Sequence, residues 1–173
     1  MKTILVSMTM AFALALSVRA ADVSVKITDV HLCCDSCVKG VKGAVGKVQG
    51  ATATVNQDEG TVSLTGADKA VVQKAADALV AAGFFGKSSD PSIQISDRTG
   101  AKGQKVQSLK IEGLHLCCGK CVKAVNTALA SVPGVKANTA TKGAQSFEIT
   151  GDFNDKEAFT ALQKAGLTGQ VGK

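Results

Sequence analysis

The sequence predicts an α+β chain built from two tandem βαββαβ units of ferredoxin-like order, behind a cleaved N-terminal signal peptide. Three observations carry this expectation. The heptapeptide "HLCCDSC" at 31–37 recurs as "HLCCGKC" at 115–121, 84 residues later. The likeness continues past it: Val38 and Lys39 recur as Val122 and Lys123, Val41 and Ala44 as Val125 and Ala128, Val48 and Gly50 as Val132 and Gly134. Each repeat also changes its apolar period from strand to helix and back in the same order.

Taken in turn, "VSVKI" and "SLKI" alternate apolar and polar residues as half-buried strands do. The alternation then slips: Val25 and Ile27 lie on odd positions, Val30 and Leu32 on even ones, and Leu109, Ile111, Leu114 and Leu116 repeat the shift. A bulge or widened turn near Asp29 and Glu112–Gly113 is the expected cause. A helix follows from the CxxC to about Lys47 and Ser131. Two short strands then form a hairpin, around "QDEG" in one copy and "TKG" in the other. A second helix spans about 67–82 and 153–165, ending at Gly83 or Gly166, residues suited to a left-handed C-cap. A short strand closes each copy. The duplicated unit is about 65–70 residues, enough for a small core.

The expected boundaries are a signal peptide at 1–20, a first domain at 22–87 with a last strand that extends to 95 if "SIQI" belongs to it, a polar, Gly- and Pro-bearing linker at 88–106, and a second domain at 107–173. The leader reading rests on Lys2, the apolar run "ILVSMTMAFALAL" and small residues at Val18 and Ala20. The apolar run falls short of the roughly 20 residues that span a bilayer, so no stable membrane insertion is expected after processing. A periplasmic or secreted location follows.

The formal charge is +6, and removing Lys2 and Arg19 leaves +4. With no Tyr, no Trp and no arginine cluster, this is a solvated surface, and nucleic-acid binding is not expected. The stretch "GVKGAVGK" at 40–47 lacks the spacing of a phosphate loop. Gly40, Gly43 and Gly46 instead share one helical face, where the second copy has Ala124, Thr127 and Ala130, and close packing there is expected.

All six cysteines and both histidines lie in the two heptapeptides. Cys34 and Cys37, like Cys118 and Cys121, are spaced so that both sulfurs converge at a helix N-terminus, where unpaired N–H groups and the helix dipole favour thiolates. Cys33 and Cys117 add a third sulfur, and His31 and His115 an imidazole, as ligands or as hydrogen-bond partners of ligands. Two sulfurs suit Cu(I) or Hg(II); three sulfurs and a nitrogen suit Zn(II) or Cd(II). A disulfide scaffold fits less well, because scaffolding cysteines are scattered whereas these are crowded. Thiol–disulfide exchange also uses CxxC, but its usual thioredoxin-like element order is absent. No separated Ser, Cys and His constellation suggests an enzyme.

The order of elements and the CxxC in the first strand-to-helix loop resemble heavy-metal-associated domains, found in copper chaperones, metal-pumping P-type ATPases and the periplasmic mercury-binding protein. The resemblance covers both copies and is clearest over "SLKIEGLHLCCGKCVKAVNTALASVPGV". It implies the ferredoxin-like fold, metal binding at Cys34 and Cys37 and at Cys118 and Cys121, and a carrier, buffer or scavenger role with one CCxxC site per domain. A metal transporter or another metal-carrying protein is the partner class implied. Thiol–disulfide exchange and a purely structural metal are the competing functions. The chain departs from the family in having His-Leu-Cys before CxxC, where Gly-Met-Thr is usual, which widens the candidate ions beyond two-coordinate copper.

Overall fold

A computed structural model describes residues 22–173; the leader expected at 1–20 lies outside them. The first unit contains β1 (Val23–Thr28), α1 (Asp35–Val45), β2 (Ala51–Asn56), β3 (Thr61–Gly66), α2 (Lys69–Ala81) and β4 (Lys87–Ser88). The second repeats it with β5 (Lys105–Glu112), α3 (Gly119–Ala130), β6 (Val135–Asn138), β7 (Ser146–Asn154), α4 (Asp155–Lys164) and β8 (Gln170–Val171). The sheets have the strand orders β2-β3-β1-β4 and β6-β7-β5-β8, and every pairing is antiparallel. These are two ferredoxin-like units in tandem.

Alternation explains the central strands. Val25 and Ile27 of β1, and Leu109 and Ile111 of β5, are buried while their neighbours face outward. The first helices bury one stripe each: Cys37, Val41 and Val45 on α1, Cys121, Val125 and Leu129 on α3. Spacings of four keep these residues on one face. The buried side chains of both units form one continuous cluster.

The slip in alternation is a left-handed residue at equivalent positions, Asp29 with φ 61° and Gly113 with φ 75°. One reversal there lets Val30 and Leu32, or Leu114 and Leu116, turn back to the core. Aspartate is among the few non-glycine residues that adopt this conformation readily.

The second helices are capped as their sequences indicate. The Asp68 carboxylate accepts from the Val71 N–H at 2.8 Å, and the Asn154 side chain accepts from the N–H groups of Lys156 and Glu157. Both helices end in a Schellman turn. The Gly83 N–H donates to Val80 and Phe84 to Leu79; Gly166 donates to Gln163 and Leu167 to Leu162.

The segment between β4 and β5 differs from a free linker. Residues 92–95, "SIQI", form no strand, yet Ile93 is buried. Gln73 and Gln94 exchange two hydrogen bonds of 2.8 Å, and Arg98 reaches Asp77 at 2.9 Å. Buried Asp155 accepts from the backbone N–H of Lys102 and of Gln104, both at 2.9 Å. The polar residues that read as linker are the groups that tie the segment to α2 and α4.

Candidate metal centre

The helix N-termini set the thiols. Cys34 and Cys118 are the N-cap residues of α1 and α3, with extended backbones (φ −166° and −151°). Cys37 and Cys121 sit one turn in, on the buried stripe, fully enclosed. Cys33 and Cys117 precede the caps and, like Cys34 and Cys118, are partly accessible.

The two triads meet. Cys33 Sγ lies 3.4 Å from Cys118 Sγ and 3.5 Å from Cys121 Sγ. Cys117 Sγ lies 3.5 Å from both Cys34 Sγ and Cys37 Sγ. Cys34–Cys118 and Cys37–Cys121 contacts of 3.8 and 3.9 Å complete the interdigitation. Within each unit the CxxC sulfurs are 3.9 Å apart. All six are free thiols, and all these separations are far beyond the ~2.05 Å of a disulfide.

A clasp outside the sulfurs holds the units together. Phe84 and Leu167, the residues after the two helix-ending glycines, form an antiparallel bridge. Thr168 N–H donates to the Gly83 carbonyl at 3.0 Å, and Phe85 and His31 N–H donate to the Gly166 carbonyl at 3.1 and 3.2 Å. The sequence reading did not find this clasp. Its signal was the matched position of "GFF" and "GLT" after the second helices.

The histidines enter from this clasp. His31 groups with Cys33 of its own unit and Cys121 of the other, their donor atoms within 4.8 Å. His115 stacks on Phe84 of the first unit, ring centroids 4.6 Å apart. Its Cε1 also sits over Gly40 of α1, where a Cβ would lie only 2.9 Å away. Gly40 therefore packs closely, as expected of the glycine face, whereas Gly43 meets nothing within 4 Å and Gly46 is the C-cap of α1. The Nε2 atoms of both histidines are buried without a hydrogen-bond partner. Such unsatisfied nitrogens are expected to cost free energy unless a further group is bound.

Packing six sulfurs together divides their acidities. Burial pushes the Cys33 and Cys117 thiols up, Cys117 to about 12. Contact with Cys121, then burial, pushes Cys37 up as well. The same contact pulls Cys121 down. Cys34 is drawn down to about 6, chiefly by the Cys37 backbone N–H at the start of α1 and against the opposing effect of burial. Burial lowers His115, keeping its imidazole neutral and able to offer a lone pair.

The cysteine-rich clusters are donor sets of the kind that bind metal. Among the described residues, no helix is long and apolar enough to cross a membrane.

No family model and no curated protein matches the chain. Several solved structures share parts of its shape. The N-terminal domain of PacS from Synechocystis PCC6803 is 21% identical, with 39% of this chain and 100% of that one covered and a TM-score of 0.35. The N-terminal soluble domains of Bacillus subtilis CopA are 11% identical over 88% of this chain and 95% of that one, TM-score 0.34. The apo HMA domain of the copper chaperone for superoxide dismutase is 21% identical over 49% and 85%, TM-score 0.35. The fold assignment rests on strand order and connection, not on these likenesses.

Proposed function

We propose that the chain is a periplasmic or secreted carrier, buffer or scavenger of a soft or borderline metal ion. Cys33, Cys34, Cys37, Cys117, Cys118 and Cys121 supply the ligands, and His31 and His115 are nitrogen donors at its edge. The observation that carries the reading is the convergence of every thiol in the sequence on one place, with the His31 imidazole beside it. Thiolates and neutral imidazoles select Cu(I), Zn(II), Cd(II) and Hg(II) over magnesium or calcium. The partly accessible Cys33, Cys34, Cys117 and Cys118 give an incoming ion or an acceptor protein somewhere to begin ligand exchange, while Cys37 and Cys121 hold from below. A metal transporter or another metal-carrying protein is the fitting exchange partner.

The test is titration of the fully reduced chain with each of the four ions, followed by thiolate-to-metal charge-transfer absorbance and native mass spectrometry. Metal-loaded chains at stoichiometric ion are expected. Failure to bind any of them, with rapid cycling between dithiol and disulfide, would replace this reading with thiol–disulfide exchange.

A further inference from the structure

We propose that the two CCxxC motifs form a single cage for a polynuclear cluster of a monovalent soft ion, four ions on six bridging thiolates, rather than two mononuclear sites. The inference deepens the metal-binding reading and rests on it.

The pattern of sulfur contacts carries it. Ten sulfur pairs lie 3.4–3.9 Å apart. Two more, Cys33–Cys34 and Cys117–Cys118, fall within triads whose atoms are all within 4.8 Å. Three pairs stand outside both sets: Cys33 with Cys117, Cys34 with Cys121, and Cys37 with Cys118. These three share no sulfur. Twelve neighbouring pairs and three disjoint opposite pairs are the edges and diagonals of an octahedron.

An octahedron of donors discriminates between ions. Any four of its corners include at least one opposite pair, so no four sulfurs are mutual neighbours and no tetrahedral all-sulfur seat is ready-made for zinc. Every face, by contrast, is a three-sulfur seat. A planar seat with metal–sulfur bonds of ~2.3 Å has edges of about 4 Å, close to the contacts observed. One set of alternate faces comprises Cys33–Cys34–Cys118, Cys34–Cys37–Cys117, Cys117–Cys118–Cys121 and Cys33–Cys37–Cys121. The first three are metal-capable triads by distance, and the fourth is closed by contacts of 3.5–3.9 Å. Each sulfur belongs to two of these four faces, so four three-coordinate ions use every thiolate twice.

The charges balance without another reactant. Six thiols lose six protons, and four monovalent cations leave a cluster of charge minus two. The N-termini of α1 and α3, capped by Cys34 and Cys118, direct their positive dipole ends at that anion. Thiolate ligands favour Cu(I) among biological ions that meet this description.

Anaerobic titration of the reduced full chain with Cu(I), delivered as its acetonitrile complex, tests the cage. Native mass spectrometry should show the metal-free and four-copper forms dominating throughout, and X-ray absorption should show copper–copper scattering. Cys34→Ser is the decisive variant, because serine is itself a good N-cap and the helix is retained, as circular dichroism would check. It should abolish the four-copper form and weaken the remaining ions at least tenfold, those on the second motif included. Two coppers loading independently, with no metal–metal scattering and unchanged affinity at the second motif in Cys34→Ser, would overturn the cage while leaving metal binding intact. No copper binding at all would overturn the cage; metal binding falls with it only if Zn(II), Cd(II) and Hg(II) also fail to bind.

Discussion

Gly83 stands with its α-carbon against the backbone of His115: a Cβ on Gly83 would lie 2.5 Å from the His115 nitrogen and 2.6 Å from the Gly113 carbonyl oxygen. Gly166 bears the same relation to the His31 nitrogen and the Asp29 carbonyl oxygen. The glycine that ends each second helix is thus also the point where that unit touches the loop leading to the cysteines of the other.

Gly83→Ala and Gly166→Ala should each weaken both fold and site. Their φ values, 88° and 77°, cost a side chain ~1–2 kcal/mol, and the backbone contact adds to that. Chemical denaturation should show losses of at least this size, and metal affinity should fall with them. Gly113→Asp is the control. Its φ is also positive, but nothing lies within 4 Å of the new Cβ, and the first unit carries aspartate at the equivalent Asp29. It should leave metal binding unchanged.

Gly40 and Gly43, one turn apart on α1, should respond oppositely to alanine. Gly43→Ala gains up to ~1 kcal/mol of helix propensity into open space. Gly40→Ala makes the same gain but drives a methyl into the His115 and Phe84 rings, at 2.9 and 3.3 Å. It should be neutral or destabilising in the parent and stabilising once His115→Ala has cleared the space. A double-mutant cycle read by urea melts gives that sign change; additive effects would mean that the ring moves aside at no cost.

Asp155 should make the connecting segment acid-sensitive. Burial opposes its charge, but N–H donors from Lys102, Gln104 and neighbouring backbone outweigh it, and its pKa is lowered. A depressed carboxylate stabilises the fold above its unfolded pKa, near 3.9, and loses that contribution as pH falls through the lower folded value. Asp155→Asn should cost about 1–3 kcal/mol at neutral pH, and the difference from the parent should shrink below about pH 4. Stability measured from pH 7 to pH 2.5 tests this; a constant difference would assign the anchor to shape alone.

Alkylation should rank the metal-free thiols. At pH 7 Cys34, drawn down to about 6 and partly accessible, should react with iodoacetamide before Cys33 and Cys117, which burial pushes up. Cys37 and Cys121 should react last, being fully enclosed. Peptide mapping by mass spectrometry against time gives the order. Early labelling at Cys121 would show that the units part faster than the reagent attacks.

Much of each unit was legible because local rules agree. Alternation placed β1 and β5, the four-residue spacing from Cys37 and Cys121 placed the buried helix stripes, and the position of Gly83 and Gly166 gave the helix ends. The slip near Asp29 was visible, though its form, one left-handed residue, was not. The connecting segment was misleading because Gln73–Gln94 and Asp155–Gln104 contacts join residues far apart in sequence, and their polarity reads locally as solvation. The meeting of the triads was not legible for a related reason. A repeat describes what each copy does alone, whereas Cys33–Cys118 and Cys34–Cys117 contacts depend on how Phe84 meets Leu167.

The clasp between Phe84 and Leu167 joins equivalent positions of two like units, the arrangement that a symmetric dimer makes between separate chains. Here one polypeptide holds both halves. Closure is therefore a first-order event, governed by an effective concentration that for short connections is on the order of millimolar, and it does not weaken on dilution. A pair of unlinked units sharing six sulfurs would fall apart at the low protein levels of an open compartment and drop whatever it held. In this chain, occupancy depends on the supply of ligand and not on the abundance of the protein.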